Sequence, residues 1–404
     1  MQIDDKLPQV ARKSSLRMTS IEEEVTLSIL MPCLNEARTL PACIAKARAY
    51  LARQNFAGEI IIADNGSSDG SREIAQSMGA RVISVPQRGY GSALRAGIAA
   101  ARGKFVIMGD SDDSYDFSTL DPFLDRLEAG YDLVIGNRFE GGIKSGAMPL
   151  LHRYFGNPVL SAIGRLLYRS SIVDFNCGLR GFRRSALLQV DPSSPGMEFA
   201  IEMIVKSTIH GLRITQVPTT LSPDGRGRPP HLHSWRDGWR SLRFLLLLSP
   251  EWLFLFPGFT LALLAGLASV VLIFTDIRIG AVTFAHHTLI MTSALTMVGL
   301  QSVLFWVFAK SIAVQRRLLF ADPLFKKVRR LFSLERCLLL GGALITSGFA
   351  VAFYALVYWY DRSFGPIDDQ VLVKVVCAAS LLIAVGFQFL FSSFFVYLLD
   401  QRPE

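Results

Sequence analysis

Along the first half of the chain, short apolar runs alternate with amphipathic ones. Residues 26–31, 59–63, 81–85, 105–108 and 132–135 are brief and apolar, as strands covered on both faces are. Between them, 36–53, 71–78, 92–101 and 120–129 read as helices; Leu40, Ile44, Ala47 and Leu51 share one face of the first. Segments 152–168 and 196–210 read as further helices and 213–217 as a late strand. This rhythm with short connections predicts an α/β domain: a Rossmann-like, mostly parallel sheet with helices on both faces.

The pattern changes near residue 233. Trp235, Trp239, Leu242, Phe244 and Leu246 are interleaved with Arg236, Arg240 and Arg243, which predicts an amphipathic helix over 233–250 lying in a membrane interface. Four apolar spans follow, at about 252–274, 288–309, 337–360 and 371–398. Each is long enough to cross ~30 Å of hydrocarbon. The expected division is therefore an arm (1–24), a catalytic-sized domain (25–232), the interfacial helix (233–250) and a membrane domain (251–404). The arm is polar and mixed in charge and lacks the apolar core of a secretory signal, so it reads as a flexible or surface-lying arm.

Composition sharpens this division. Half of the 404 residues are hydrophobic, and the excess lies in the second half. The net charge of +8 raises the question of a nucleic-acid partner. However, the basic residues concentrate in 226–243 and 310–336, beside apolar runs, where an anionic lipid surface accounts for them and nucleic acid does not. Segment 310–336 carries Lys310, Arg316, Arg317, Lys326, Lys327, Arg329, Arg330 and Arg336, whereas the other two loops between spans are poor in Lys and Arg. The positive-inside rule then predicts an integral protein of the cytoplasmic (inner) membrane with its N-terminal domain and tail in the cytoplasm. Five cysteines, odd in number and without a CxxC pair, indicate a reducing compartment and no disulfide framework. The pairs His231/His233 and His286/His287 have no Cys or acidic partner at zinc spacing.

Candidate chemistry gathers where predicted strands end. Strand 105–108 runs into Gly109 and then Asp110, Asp112, Asp113 and Asp116. Crowded acids repel one another unless a cation or a donor-rich ligand neutralises them. Asp110 and Asp112, one residue apart, offer hard oxygen ligands suited to Mg²⁺ or Mn²⁺ held with a diphosphate. The competing reading is a solvated acidic turn. The first strand ends in Pro32, with Asn35 or Glu36 opening a helix. The second ends in Asp64-Asn65-Gly66-Ser67-Ser68-Asp69-Gly70; Asp64 can accept from the N–H of a base, and Asp69 can cap the next helix. The run Gln87-Arg88-Gly89-Tyr90-Gly91-Ser92 opens a helix whose glycines allow close backbone approach and whose N-terminus favours phosphate.

As an ordered set, Pro32, Glu36, Asp64 to Gly70, Arg88-Gly89-Tyr90-Gly91, Gly109-Asp110-Ser111-Asp112, Gly136-Asn137-Arg138, Asp174 and Gly178-Leu179-Arg180-Gly181-Phe182 resemble the family-2 GT-A glycosyltransferases. Among these the chain is most similar to polyprenyl-phosphate hexose synthases, relatives of the dolichyl-phosphate mannose and glucose synthases. The resemblance covers roughly 26–250. It implies that Pro32, Glu36, Asp64, Arg88, Gly89 and Asp110 bind the nucleotide. It implies that Asp110 and Asp112 hold its diphosphate through a divalent metal, that Arg138 touches phosphate, and that Asp174 is the acid before the turn. It also implies a homo-oligomer. Three departures stand out. Cys177 replaces the usual Ser of that turn. Ser114 stands where mannose synthases place a Gln, leaving the third protein metal ligand unassigned. The late basic loop reads Asp224-Gly225-Arg226-Gly227-Arg228.

The expected reaction is transfer of one hexose-type sugar, with inversion, from a nucleotide-diphosphate sugar to a polyprenyl phosphate. A lipid phosphate is already anionic near neutral pH and needs cations more than a base; Arg226 and Arg228 are the candidates to receive it. The Gln-x-x-Arg-Trp motif of processive synthases is absent. A hydroxyl acceptor is the alternative, and it requires a base, with Asp113 and Asp174 as candidates. A transporter or scaffold is a third class, but a transporter needs ionisable residues inside its spans, and only Lys374 lies there, at one end.

Overall fold

A computed structural model describes residues 25–227, 234–316, 318–365 and 370–400. The expected arm 1–24, Arg228 and the His231/His233 pair lie outside these. The catalytic domain contains β1 (Leu27–Cys33), α1 (Leu40–Ala52), β2 (Gly58–Asp64), α2 (Ser71–Ser77), β3 (Arg81–Ser84), α3 (Tyr90–Ala100) and β4 (Phe105–Met108). It continues with α4 (Asp121–Glu128), β5 (Leu133–Asn137), α5 (Arg138–Gly141), α6 (Asn157–Tyr168), β6 (Arg180–Arg183), α7 (Arg184–Val190), α8 (Phe199–Ile209) and β7 (Ile214–Pro218).

The seven strands form one sheet in the order β3-β2-β1-β4-β6-β5-β7. β1 pairs in parallel with β2, from Leu27 opposite Gly58 to Cys33 opposite Asp64, and with β4 on its other side. All seven residues of β1 are buried, so both faces of the sheet are covered. Burying an aliphatic side chain such as Leu27, Ile29 or Leu30 contributes ~1.5–3 kcal/mol. β6 is antiparallel to both its neighbours. Sequence patterning misses it because Arg180-Gly181-Phe182-Arg183 is not an apolar run. Arg180 is nonetheless fully buried, with its guanidinium donating to the carbonyls of Phe175, Cys177 and Ala200. The helix expected over 152–168 is interrupted: a π-turn (His152–Gly156) precedes α6, where Pro158 withholds a backbone donor.

Past the catalytic domain come α9 (Ser234–Leu247), a π-turn (Glu251–Leu255), α10 (Phe256–Phe274), a hairpin of β8 (Ile277–Ile279) and β9 (Val282–Phe284), α11 (His286–Gln315), α12 (Pro323–Leu331), α13 (Leu334–Tyr360) and α14 (Gln370–Asp400). The four long apolar helices span 24 to 30 residues, and most of their side chains face outward; this is an integral membrane protein. α10 packs on α11 and α13 on α14, and α14 joins the two hairpins along α11.

The basic segment after the second span is not a plain loop. α11 runs through Lys310, whose ammonium pairs with Glu251 and, at 2.9 Å, with Asp322. Asp322 also caps α12 by accepting from Phe325 N. Phe320 meets His210, just past α8, edge to face at 5.1 Å, so this segment touches the catalytic domain. Lys374 reaches Asp276 at 2.8 Å, so both lysines of the span helices, Lys310 and Lys374, sit near helix ends and are paired.

Candidate active site

The carboxyl ends of β1, β2 and β4 meet around a cavity of about 270 Å³. Pro32, Glu36, Arg88, Gly89, Asp110 and Arg226 line it, together with Asn65, Tyr90, Ser111 and Met197, which sequence reasoning passed over. Parallel strands in register deliver their last residues to one edge, and the polar turns that follow become its walls.

The four acids after β4 separate into two roles. Asp110 is half-buried and accepts from Tyr90 Oη at 3.0 Å. Burial, with the Asp112 carboxylate beside it, pushes its pKa up to about 6. Asp112 is buried; its Oδ1 accepts from Ser114 N at 3.1 Å and Ser114 Oγ at 2.6 Å. Ser114 therefore orients Asp112. Asp113 turns outward to Lys46 at 2.7 Å, and Asp116 caps a turn by accepting from Ser118 N and Oγ. Of the four, Asp110 lines the cavity, and Asp112 meets it through the guanidinium of Arg226.

These two residues fit a divalent cation. Their oxygens are hard donors in a site whose negative charge is already strained by burial. A Cβ at Gly178 would run into Asp110 Oδ2, so glycine keeps that oxygen accessible. A guanidinium, that of Arg226, already stands as a cation on Asp112 Oδ2 and lies 3.5 Å from Glu36 Oε1. Among the described residues no three His, Cys, Asp or Glu side chains are arranged to hold a metal ion by themselves, so a cation here would take further ligands from a bound diphosphate and water.

Arg138 and Asp174 come together, and each occupies the other. Arg138 Nε and Nη2 donate to Asp174 at 2.7 and 2.8 Å, and Arg138 N adds a third bond at 3.2 Å. Both side chains are buried. Tyr115, also buried, accepts from Gly178 N at 2.9 Å beside this pair. Burial and the neighbouring Arg138 charge hold the His152 pKa below its usual value. Asp174 is thus committed to a cation, which ill suits a free general base.

At two of the expected nucleotide positions the structure shows protein partners for the groups concerned. The N-terminus of α3 is not open to phosphate, because the Pro195 carbonyl accepts from Gly91 N at 2.9 Å and from Ser92 N at 3.3 Å. A Cβ at Gly89 or Gly91 would run into the carbonyls of Pro195 or Ser194. These glycines admit the 192–196 segment, while Gly89 and Tyr90 line the cavity on their other side. Glu202 fixes that segment by accepting from Ser194 N at 2.7 Å while paired with Lys206 at 2.7 Å. Asp64 is fully buried and spends its carboxylate on Gly66 N and Ser67 N, with Arg72 at 3.7 Å. Asn65 faces the cavity beside it, accepting from Gly89 N at 2.6 Å and donating to the carbonyls of Val85 and Gln87. The signal for Asn65 was present in the same polar turn, one residue on. Arg88 is exposed on the cavity wall and makes no ion pair among the described residues.

Beside the catalytic domain lies an apolar rim. Leu150, Tyr154 and Phe155 at the start of the α6 region are 72, 69 and 59 % exposed. α6 packs on α9, with Tyr168 Oη donating to Leu245 O at 2.7 Å, and α9 presents Trp235 and Trp239 outward. An exposed aromatic and leucine face continuous with a membrane domain suits the bilayer interface.

Residues 28–190 match the family described as Glycosyl transferase family 2, and 307–400 match its C-terminal transmembrane region. The low-salt glycan biosynthesis hexosyltransferase of Haloferax volcanii is 35% identical over 91% of this chain and 88% of its own length. A dolichyl-phosphate hexose transferase of the same organism is 31% identical over 48% of this chain and 81% of its own. Among solved structures, glucosyl-3-phosphoglycerate synthase from Mycobacterium tuberculosis covers 55% of this chain and 79% of its own, at 25% identity and a TM-score of 0.44.

Proposed function

The chain belongs to family 2 of the glycosyltransferases, and from that premise we propose that it makes a polyprenyl-phosphate sugar. The donor is a nucleotide-diphosphate sugar and the acceptor a polyprenyl phosphate presented at the cytoplasmic face. An oxygen of the lipid phosphate attacks the anomeric carbon. The bond from that carbon to the diphosphate breaks, the nucleoside diphosphate leaves with the electron pair, and the configuration inverts. A divalent cation, Mg²⁺ or Mn²⁺, held by Asp110 and Asp112 would neutralise the leaving diphosphate. Pro32, Glu36, Asn65, Arg88 and Gly89 hold the nucleoside and diphosphate, and Arg138, pinned by Asp174, lends positive potential next to the reacting groups.

One observation carries the choice of acceptor. The two carboxylates that could serve as a base for a hydroxyl, Asp113 and Asp174, are each bound to a cation, Lys46 and Arg138. A phosphate nucleophile requires no base. The apolar rim of α6 and α9 supports delivery of that phosphate from the membrane, and the Haloferax dolichyl-phosphate hexose transferase supports the lipid class. The domain division at 25–232, 233–250 and 251–404 belongs to the same reading.

The test is a donor screen. Membranes containing the protein are supplied with labelled UDP- and GDP-sugars and polyprenyl phosphate, and label is followed into the organic phase. Mild acid should release it as a single sugar. Label entering only a polymer or a water-soluble product would overturn the proposal.

A further inference from the structure

Arg226 sits in the donor cavity and not out toward the membrane, where an acceptor residue is expected. Two main-chain hydrogen bonds put it there. Ser222 N donates to Ser114 O at 2.9 Å, and Gly225 N donates to Asp112 O at 3.0 Å. The 222–227 segment is thereby stitched along the acidic loop, with the guanidinium on Asp112 Oδ2 and near Glu36. The other Asp112 oxygen is taken by Ser114. Both oxygens of Asp112 are thus engaged while Arg226 remains. Arg226 Nε is buried with no acceptor, so this seat satisfies only part of the side chain.

We propose that Arg226 is a displaceable counter-ion: the donor's divalent cation takes its place on Asp112, and the released guanidinium then receives the lipid phosphate. The inference rests on the proposed function for the identity of both ligands. Its physical basis is that two cations cannot share one carboxylate oxygen in a half-buried site without strong repulsion. In the chain, Arg226 shortly precedes α9, a helix of the apolar rim, so under this proposal a guanidinium freed from Asp112 stands on the acceptor side of the site. Binding is then ordered. Metal and donor load first, and the acceptor phosphate finds its arginine only afterwards. A lipid phosphate arriving at an empty donor site meets Arg226 already neutralised, which disfavours idle occupation.

The experiment uses the full chain in detergent and Mn²⁺ alone as the probe, with free Mn²⁺ counted by electron paramagnetic resonance. Arg226→Gln should bind Mn²⁺ about tenfold or more tightly than the wild type, because its competitor is gone. Arg226→Lys should fall between the two. A purely structural role predicts the opposite sign, since a loosened loop weakens the site. Mn²⁺ affinity unchanged or weaker in Arg226→Gln overturns the exchange, provided that buried-thiol reactivity reports a folded domain. If the glutamine variant is unfolded, Arg226→Lys decides the question by the same comparison. A second arm measures retention of farnesyl phosphate and of inorganic diphosphate with and without Mn²⁺. Mn²⁺ should raise farnesyl phosphate retention in the wild type and not in Arg226→Gln. A variant that loses diphosphate instead, with farnesyl phosphate unaffected, overturns the binding order. Asp112→Asn separates the two readings. If it leaves Mn²⁺ binding intact, the metal assignment of the proposed function fails. If it abolishes binding while Arg226→Gln changes nothing, only the exchange fails.

Discussion

The buried pair of Arg138 and Asp174 makes the most quantitative prediction. Asp174 is fully buried and Arg138 nearly so, and they share two side-chain hydrogen bonds. Asp174→Asn removes one charge and strands the other. Breaking such a pair from one side costs about 3–5 kcal/mol. For a domain of roughly 200 residues each kcal/mol moves the midpoint by about 2–4 °C, so unfolding should begin ~6–20 °C lower. Adding Arg138→Met removes the stranded charge, and most of the stability should return because an apolar replacement of a buried pair is close to neutral. Activity should not return, since the proposed mechanism also needs the charge of Arg138 at the reaction centre. The readout must report this domain alone. All five tryptophans (235, 239, 252, 306 and 359) lie beyond residue 227, so their fluorescence follows the wrong part of the molecule. Cys33, Cys43 and Cys177 are buried inside the domain, and burial pushes the Cys33 and Cys177 thiols up to about 11, which keeps them unreactive until it opens. A thiol-reactive dye on a Cys337→Ala/Cys377→Ala background therefore monitors the right transition. A midpoint shift under about 2 °C for Asp174→Asn, or a double variant no more stable than the single, would refute the account.

Four further outcomes are expected. Gly91→Ala forces the 192–196 segment away from α3 and should lower kcat/KM roughly 10²-fold, the cost of an ångström-scale misplacement; a loss under twofold counts against that contact. Asp113→Asn should keep activity within about twofold, because its partner Lys46 is a partly exposed surface pair; a collapse of turnover would restore the hydroxyl-acceptor reading. For Glu202, burial raises the pKa, but Lys206 and Ser194 outweigh it and hold the carboxyl below 4.5 in the folded chain. Its contribution is therefore complete above that pH and is lost as pH falls through the folded value, so the midpoint gap between wild type and Glu202→Gln should be flat from neutral pH down to about 5 and close in more acid solution. Tyr154→Glu with Phe155→Glu should raise the acceptor KM roughly tenfold and leave the donor KM unchanged, as loss of about 1.4 kcal/mol of interfacial anchoring requires; equal effects on both would remove the rim from acceptor delivery.

The fold was largely legible because its signals are local. Strands such as 105–108 are continuous apolar runs, and the membrane helices are long ones. β6 escaped because it is polar in sequence, and its Arg180 is buried only by donating to the carbonyls of Phe175, Cys177 and the more distant Ala200. α12 was hidden inside a basic segment that reads as a loop by charge alone. At the site, the residue types around Asp110 and Asp112 were readable, but their division of labour was not. Whether an aspartate faces a cavity, as Asp110 does, or a lysine, as Asp113 does, depends on backbone conformation; Asp113 sits at φ 63°. Likewise, a glycine pair reads the same whether it admits a phosphate or another stretch of main chain, and here it admits Pro195.

The pairing of the membrane helices has a consequence for how such enzymes diversify. α13 and α14 form a self-contained hairpin whose mutual packing exceeds its hold on the first hairpin, which it meets mainly through α11. A hairpin crosses and returns. Adding or deleting one preserves the parity of the chain, so every segment outside it keeps its side of the bilayer. Membrane bulk can thus be varied in units of two helices with no change of address for the catalytic domain. A single-helix insertion after the catalytic domain would carry everything downstream of it, α12 and its lysines included, to the opposite face.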